Sequence, residues 1–249
     1  MRIFLFFIAF FSSYYSSANS TKIAIVIDDI GYRISDKDVL SLPKAVTFSV
    51  LPHTPFGQEL ATSGYQQSRE ILIHVPMEAT NGKKLGPGAL TQQMNEQQIH
   101  STLAKSFEEI PFAIGINNHM GSLLTSQYQP MAWTMSYLKS KGLLFLDSVT
   151  VINSQAYKAA KQQGVPTMKR SIFLDNIQEH HYIAGQFQQL IDKARKNKVA
   201  IGIAHPHPQS VASLNKLIPT LAKEGIELVP LSNLYDATFQ SEQATITTD

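Results

Sequence analysis

The sequence predicts an α/β fold: a parallel sheet closed, or nearly closed, into a barrel of seven or eight strand–helix units. Two observations carry that expectation. Short apolar runs recur along the whole chain with helix-period stretches between them. Titratable and amide side chains collect at the C-terminal ends of those runs, the place where parallel α/β folds gather their functional groups. An open doubly wound sheet has the same alternation and stands as the alternative.

The first strand is expected at residues 23–27, Ile-Ala-Ile-Val-Ile. A run apolar at every position reads as a strand buried on both faces. Further strands are expected at 45–51, 70–75, 112–117, 143–148, 199–205 and 226–231, with a weaker one at 166–170. Between them, Ile99, Leu103 and Phe107 recur at helical spacing behind Asn95, a good N-cap. Met131, Met135 and Leu138 share one face of a following helix, with Pro130 in its first turn and Gly142 as its stop. Gly164 and Gly225 end two more helices, and Pro219 is expected to kink the last.

Two end segments are set apart from the barrel. Met1-Arg2, the apolar run 3–11 and the small residues around Ala18 and Ser20 have the layout of a secretory signal peptide over residues 1–20, too short to span a bilayer. Residues 237–249 are rich in Ser, Thr and Gln and read as a disordered tail. That leaves one domain at 21–236, large enough to need no staples. The chain has no cysteine, which excludes thiolate zinc sites and cysteine nucleophiles. Without Arg2 the charges are 20 basic against 19 acidic, so neither a nucleic-acid footprint nor a polybasic membrane patch is expected. No later segment is long and apolar enough to cross a membrane.

The strand ends carry Asp28-Asp29, His53, His74 with Glu78, Asn117-Asn118-His119, Asp147-Ser148, Lys169-Arg170 and His205-Pro206-His207. Each has a structural reading: Asp29 as a helix cap, Asp28 as a partner of Arg170, His74 as a bonded core histidine, His205–His207 as a rigid turn, Glu78 and Asp147 as loop caps. The constructive reading is a divalent metal site. One carboxylate and two neutral imidazoles, Asp29, His74 and His119, form a ligand set common at catalytic zinc, and they leave room for water and substrate. Asp28 is then the general base and His205 the general acid. Asn117, Asn118 and amides near Gly121 are placed to hold a developing oxyanion. Arg170 and Asp147 would orient acid and base.

The ordered set resembles the polysaccharide deacetylase (NodB-homology) family, and more closely its divergent branch, often exported bacterial proteins. The resemblance runs from about Ile23 to Leu234. Asp28-Asp29-Ile30-Gly31 is similar to the family's first motif, whose first Asp is the base and second a metal ligand. His74-Val75-Pro76-Met77-Glu78 falls where the main family has H-(S/T)-x-x-H. Asn117-Asn118-His119-Met120-Gly121-Ser122 falls at an R-x-P-x-G-type motif, Asp147-Ser148 at the fourth, and Ile203-Ala204-His205 at the L-x-H of the catalytic acid. Two departures stand out: Glu78 replaces the second metal histidine, and the third motif's arginine is absent with His119 nearby. His119 is inferred to substitute as third ligand, with Glu78 the next candidate, and Arg170 to replace the arginine. The resemblance implies a distorted (β/α)7-8 barrel, a divalent metal, Zn²⁺ foremost, and hydrolysis of N-acetyl groups on a glycan by an exported, periplasmic or secreted protein. Asn117, Asn118, Glu78, Asp147 and Arg170 make up the expected substrate-side group. A catalytically inactive glycan-binding or envelope-organising protein is the alternative. A metal phosphoesterase is a third, weakened by the lack of a Gly-rich phosphate loop or arginine cluster.

Overall fold

The computed structural model of the protein describes residues 20–235. The expected tail, and all but the last residue of the expected leader, lie outside the described residues. The strands are β1 (Thr21–Ile30), β2 (Thr47–Val50), β3 (Ile71–Met77), β4 (Gly115–Met120), β5 (Leu144–Asp147), β6 (Thr167–Lys169), β7 (Ile172–Phe173), β8 (Val199–Ala204) and β9 (Ile226–Leu228). The helices are α1 (Gly57–Gln66), α2 (Glu96–Glu109), α3 (Tyr128–Lys141), α4 (Ala156–Gln163), α5 (His180–Asn197) and α6 (Pro208–Leu217). Asn95 caps α2 in a reciprocal box with Gln98. Gly142 and Gly164 end α3 and α4 in the left-handed conformation that a side chain disfavours. At Pro219 the last helix does more than kink: α6 stops at Leu217 and continues as a 3-10 turn, Ile218–Glu224.

Every pairing is parallel, in the order β6-β5-β4-β3-β2-β1-β8-β7, with β9 alongside the first residues of β1. The two edge strands, β6 and β7, are separated in sequence by Arg170 and Ser171 alone. Two residues span at most about 7 Å, so the sheet must curl until its edges meet. The join is explicit in the backbone. The Arg170 N–H donates to Asp147 C=O on β5, and the next residue, Ser171, donates to Ile201 C=O on β8. One split strand thus changes partner in mid-course, and the sheet curls into the barrel expected from the alternation.

Period-two alternation divides the core. Ile23, Ile25 and Ile27 pack outward against the helices, with Phe48, Ile73 and Ile116. Ala24 and Val26 point inward with Leu72, Leu144, Leu146, Ile201 and Ile203. Residues 231–235 close the N-terminal side of the barrel: Leu231 and Leu234 join the inner cluster, and the buried Tyr235 hydroxyl donates to Phe145 C=O.

Two glycines test this packing. Gly115 opens β4, and a Cβ there would stand 2.2 Å from Leu144 C=O on the neighbouring strand. Gly185 lies in α5, where a Cβ meets nothing within 4 Å. Gly115→Ala is expected to lower stability by about 1–3 kcal/mol through overpacking. Gly185→Ala is expected to raise it by about 0.5–1 kcal/mol. Urea unfolding of the two variants checks both signs.

Candidate metal centre and acid–base pair

The inward alternation of the strands continues past the apolar plug and places a polar layer on top of it. Asp28 on β1, His74 on β3, and Asn117 and His119 on β4 follow their strands' inner faces; Ser148 and His205 extend those of β5 and β8. In a regular strand Asp29 would point away from Asp28. A bulge prevents this: β1 uses three steps from Ile27 to Ile30 where β2 uses two, Phe48 to Val50. Asp29 takes up the extra residue in a left-handed conformation, φ 60°. Both carboxylates therefore reach the mouth.

There Asp29 Oδ1 lies 2.7 Å from His119 Nδ1 and 3.1 Å from His74 Nε2, and the two ring nitrogens are 3.2 Å apart. Asp29 Oδ1 is buried with no donor hydrogen aimed at it. The His74 tautomer is readable from its other face. Its Nδ1 lies 2.8 Å from Asn117 Oδ1, which can only accept, so Nδ1 carries a proton and Nε2 is the nitrogen turned toward Asp29 and His119. One carboxylate oxygen and two ring nitrogens thus lie within 4.8 Å of one another. This arrangement fits a divalent cation. The imidazoles of His119 and His74 outweigh the effect of burial and hold the Asp29 carboxyl well below the usual carboxylate range.

Asn117 organises the layer beneath. Fully buried, it accepts at Oδ1 from His74 and from the Ser49 hydroxyl, and its Nδ2 donates to Asp28 Oδ1 (2.8 Å) and Ser148 Oγ (3.2 Å). Asp28 is buried too, with Oδ2 3.7 Å from His74 Nε2. Burial raises its pKa, against the opposing pull of His74 and His205. A carboxylate with a raised pKa is a better proton acceptor.

His205 meets the group from β8, its Nε2 4.0 Å from Asp29 Oδ2. Behind it stands Asp175, unmentioned among the sequence candidates. Asp175 Oδ1 lies 2.8 Å from His205 Nδ1, and Oδ2 accepts from the His205 N–H and the Ser210 hydroxyl. Burial disfavours the imidazolium, but the bond and charge of Asp175, with Asp29 and Asp28 further off, prevail and push His205 up to about 9. The signal that could have found Asp175 is its place after Ile172-Phe173-Leu174; β7 is too short to show a period.

Several expected roles are corrected. Asn117 and Asn118 do not face a ligand: both are buried, and Asn118 donates to Met120 C=O and accepts from Ser148 N–H, tying two loops together. Asp147 is also buried and caps its own loop, accepting from Val149 N–H and the Ser154 hydroxyl. Glu78 lies outside the three-donor group; its carboxylate accepts from Gln92 N–H. Arg170 orients neither acid nor base by contact. Its guanidinium donates to Ser148 and Val149 C=O and stacks on Phe173, holding Val149 at φ 47°.

A cleft of about 160 Å³ opens over the group, lined by Asp29, Arg33, Leu51, His119, His205 and His207 among others. Residues 25–235 match the family model of divergent polysaccharide deacetylases. The chain belongs to that family. It is 41% identical over 214 residues to the uncharacterized protein YibQ of Escherichia coli K12, covering 86% of this chain and 67% of that one. The crystal structure of the uncharacterized protein ATU2773 from Agrobacterium tumefaciens C58 superposes with a TM-score of 0.83 at 27% identity, over 88% of this chain and 91% of that. The catalytic domain of a peptidoglycan N-acetylglucosamine deacetylase from Eubacterium rectale shares the fold, with a TM-score of 0.56 at 17% identity over 85% of this chain and 89% of that.

The Asp175–His205 pair generates a pH signature. Folding raises the His205 pKa, so its contribution to stability is complete below the unfolded imidazole value of about 6.5 and is lost as pH rises through about 9. Denaturant midpoints of the wild type should fall over that window. In Asp175→Asn the fall should be shallower and should end at lower pH, whatever the absolute stability. An unchanged slope would remove Asp175 as the cause.

Proposed function

We propose that the protein is an exported, metal-dependent hydrolase that removes N-acetyl groups from a glycan, releasing acetate and leaving a free amine on the sugar. The observation that carries this reading is the placement of two further titratable side chains, Asp28 and His205, beside the three-donor group of Asp29, His74 and His119. What a divalent cation held by Asp29, His74 and His119 supplies there is Lewis-acid polarisation of an amide carbonyl and a lowered pKa for water. The oxygen and two nitrogens of that donor set suit Zn²⁺.

The chain's own residues carry the protons. Asn117 holds Asp28 by Oδ1, leaving Oδ2 to take the proton of the attacking water. The water oxygen bonds to the acyl carbon as the C–N bond breaks. His205, whose Nδ1–H is committed to Asp175, presents Nε2 toward the mouth and delivers its proton to the departing nitrogen. Asp175 stabilises the imidazolium before transfer and fixes the ring's orientation. Export rests on the leader-like first twenty residues, and a site without thiols is compatible with an oxidising compartment.

The experiment is acetate release from N-acetylglucosamine oligomers or peptidoglycan by zinc-loaded protein, with metal content measured alongside. Asp28→Asn is expected to slow release by at least about 100-fold at unchanged metal content, as loss of a general base does. His119→Ala is expected to lose stoichiometric metal. Full activity in Asp28→Asn would dismiss it as the base, and metal retained by His119→Ala would dismiss His119 as a ligand. Glycan affinity at full metal occupancy without any acetate would support a binding protein instead.

A further inference from the structure

Four of the large apolar side chains that stand exposed lie at one end of the barrel: Tyr32 (49% exposed), Ile34 (53%), Ile152 (101%) and Ile177 (50%). Tyr32 and Ile34 follow β1, the latter opening a 3-10 helix (Ile34–Ser41), Ile152 follows β5 and Ile177 follows β7, so all four lie on the segments that leave the C-terminal strand ends, around the mouth. The sheet order β5, the split strand β6–β7, β8, β1 makes them a half-ring, with Pro206 of the β8 loop between Ile177 and Tyr32. They are separate tips around a concave opening. That shape differs from the contiguous packed patch of a protein–protein interface.

The charges on this face have one prevailing sign. Arg33, Lys37, Lys83 and Lys84 are exposed there. Tyr32 reaches across from the β1 loop to the loop bearing Lys83 and Lys84; its hydroxyl would be 2.7 Å from a Cβ placed on Gly86. The carboxylates of the same face are largely withdrawn. Asp28, Asp36, Asp147 and Asp175 are buried, Asp36 accepts from the Gly31 and Arg33 N–H groups, and Glu78 is bonded to Gln92 N–H. Asp38 and Glu179 stay exposed, the latter 3.3 Å from His181.

We propose that this rim is a membrane contact: the mouth of the barrel rests on an anionic lipid leaflet. The isoleucine tips enter the boundary between headgroups and acyl chains, and Arg33, Lys83 and Lys84 meet lipid phosphates. The rim borders the cleft of the proposed hydrolysis, which Tyr32 and Arg33 help to line, but the contact is argued from exposure and charge and does not rest on that reading.

The absence of cysteine from the chain makes a direct test available. Ile152→Cys, labelled with an environment-sensitive dye, is mixed with phosphatidylglycerol–phosphatidylethanolamine vesicles. A blue shift that weakens with added salt is expected. The same dye at Tyr65→Cys, near the end of α1 at the other end of the barrel, should stay in water. Sedimentation with vesicles should weaken at least about tenfold in Ile152→Ser/Ile177→Ser, on the scale of two buried side chains returned to water. It should weaken comparably in Lys83→Glu/Lys84→Glu, with circular dichroism unchanged in both. The proposal is overturned if the position-152 dye stays in water while the protein sediments, because attachment then lies elsewhere. It is equally overturned by equal partition to phosphatidylcholine vesicles, by no sedimentation, or by a lipid-free dye shift that grows with protein concentration, which would assign the rim to a second copy.

Discussion

The mouth of the barrel is referred to one buried amide. Asn117 sits at the centre of the inner face and uses both ends of its side chain, accepting from His74 and Ser49 and donating to Asp28 and Ser148. Those partners come from β3, β2, β1 and the end of β5, so a single group registers four stretches of wall against one another. Its orientation has no freedom, because turning it over would set an amide N–H₂ against the proton on His74 Nδ1 and a carbonyl against the Asp28 carboxylate. Satisfied on all sides, such a group defines a unique arrangement; unsatisfied, it would leave several buried polar atoms without partners.

The layer above depends on that registration. Two adjacent carboxylates and two imidazoles in a largely buried place are tolerated because each charge has an opposite or a hydrogen bond at hand. Asp28 and Asp29 are nevertheless kept in different states. Asp29, against His119 and His74, is held firmly as an anion. Asp28, deeper and partnered by a neutral amide, is pushed toward the protonated form. Neighbouring residues of one type are thus given opposite tendencies by a bulge and about one layer of depth, which is the separation that a ligand and a proton acceptor need.

Much of this was legible in the sequence, for definite reasons. Polar residues interrupting apolar runs at their C-terminal ends marked Asp28, His74, His119 and His205, and strand alternation is regular enough to bring such residues onto one inner face. What alternation cannot show is a departure from itself. The left-handed Asp29 is not a glycine, so nothing announced the bulge. The two-residue β7 has no period, so Asp175 escaped notice although it holds His205. Asn117, Asn118 and Asp147 were read as facing substrate because their chemistry permits it; burial, invisible in one sequence, assigns them to holding loops and neighbouring side chains. Runs apolar on both faces suit a barrel and an open sheet equally. The two-residue step from β6 to β7 decides between them, and it becomes decisive once the strand order is known.

That step also sets where the cylinder yields. Asp29, His74 and His119 are carried by β1, β3 and β4, a stretch of wall with main-chain bonds from each strand to the next. His205 is carried beside the seam, where β8 is flanked on its far side by only two paired residues, and Phe173 of that short strand stacks near the His205 ring. A tube with one weakly stitched line opens there first under load. Any change in the width of the mouth is therefore expected at the His205 flank, while the flank bearing Asp29, His74 and His119 keeps its shape.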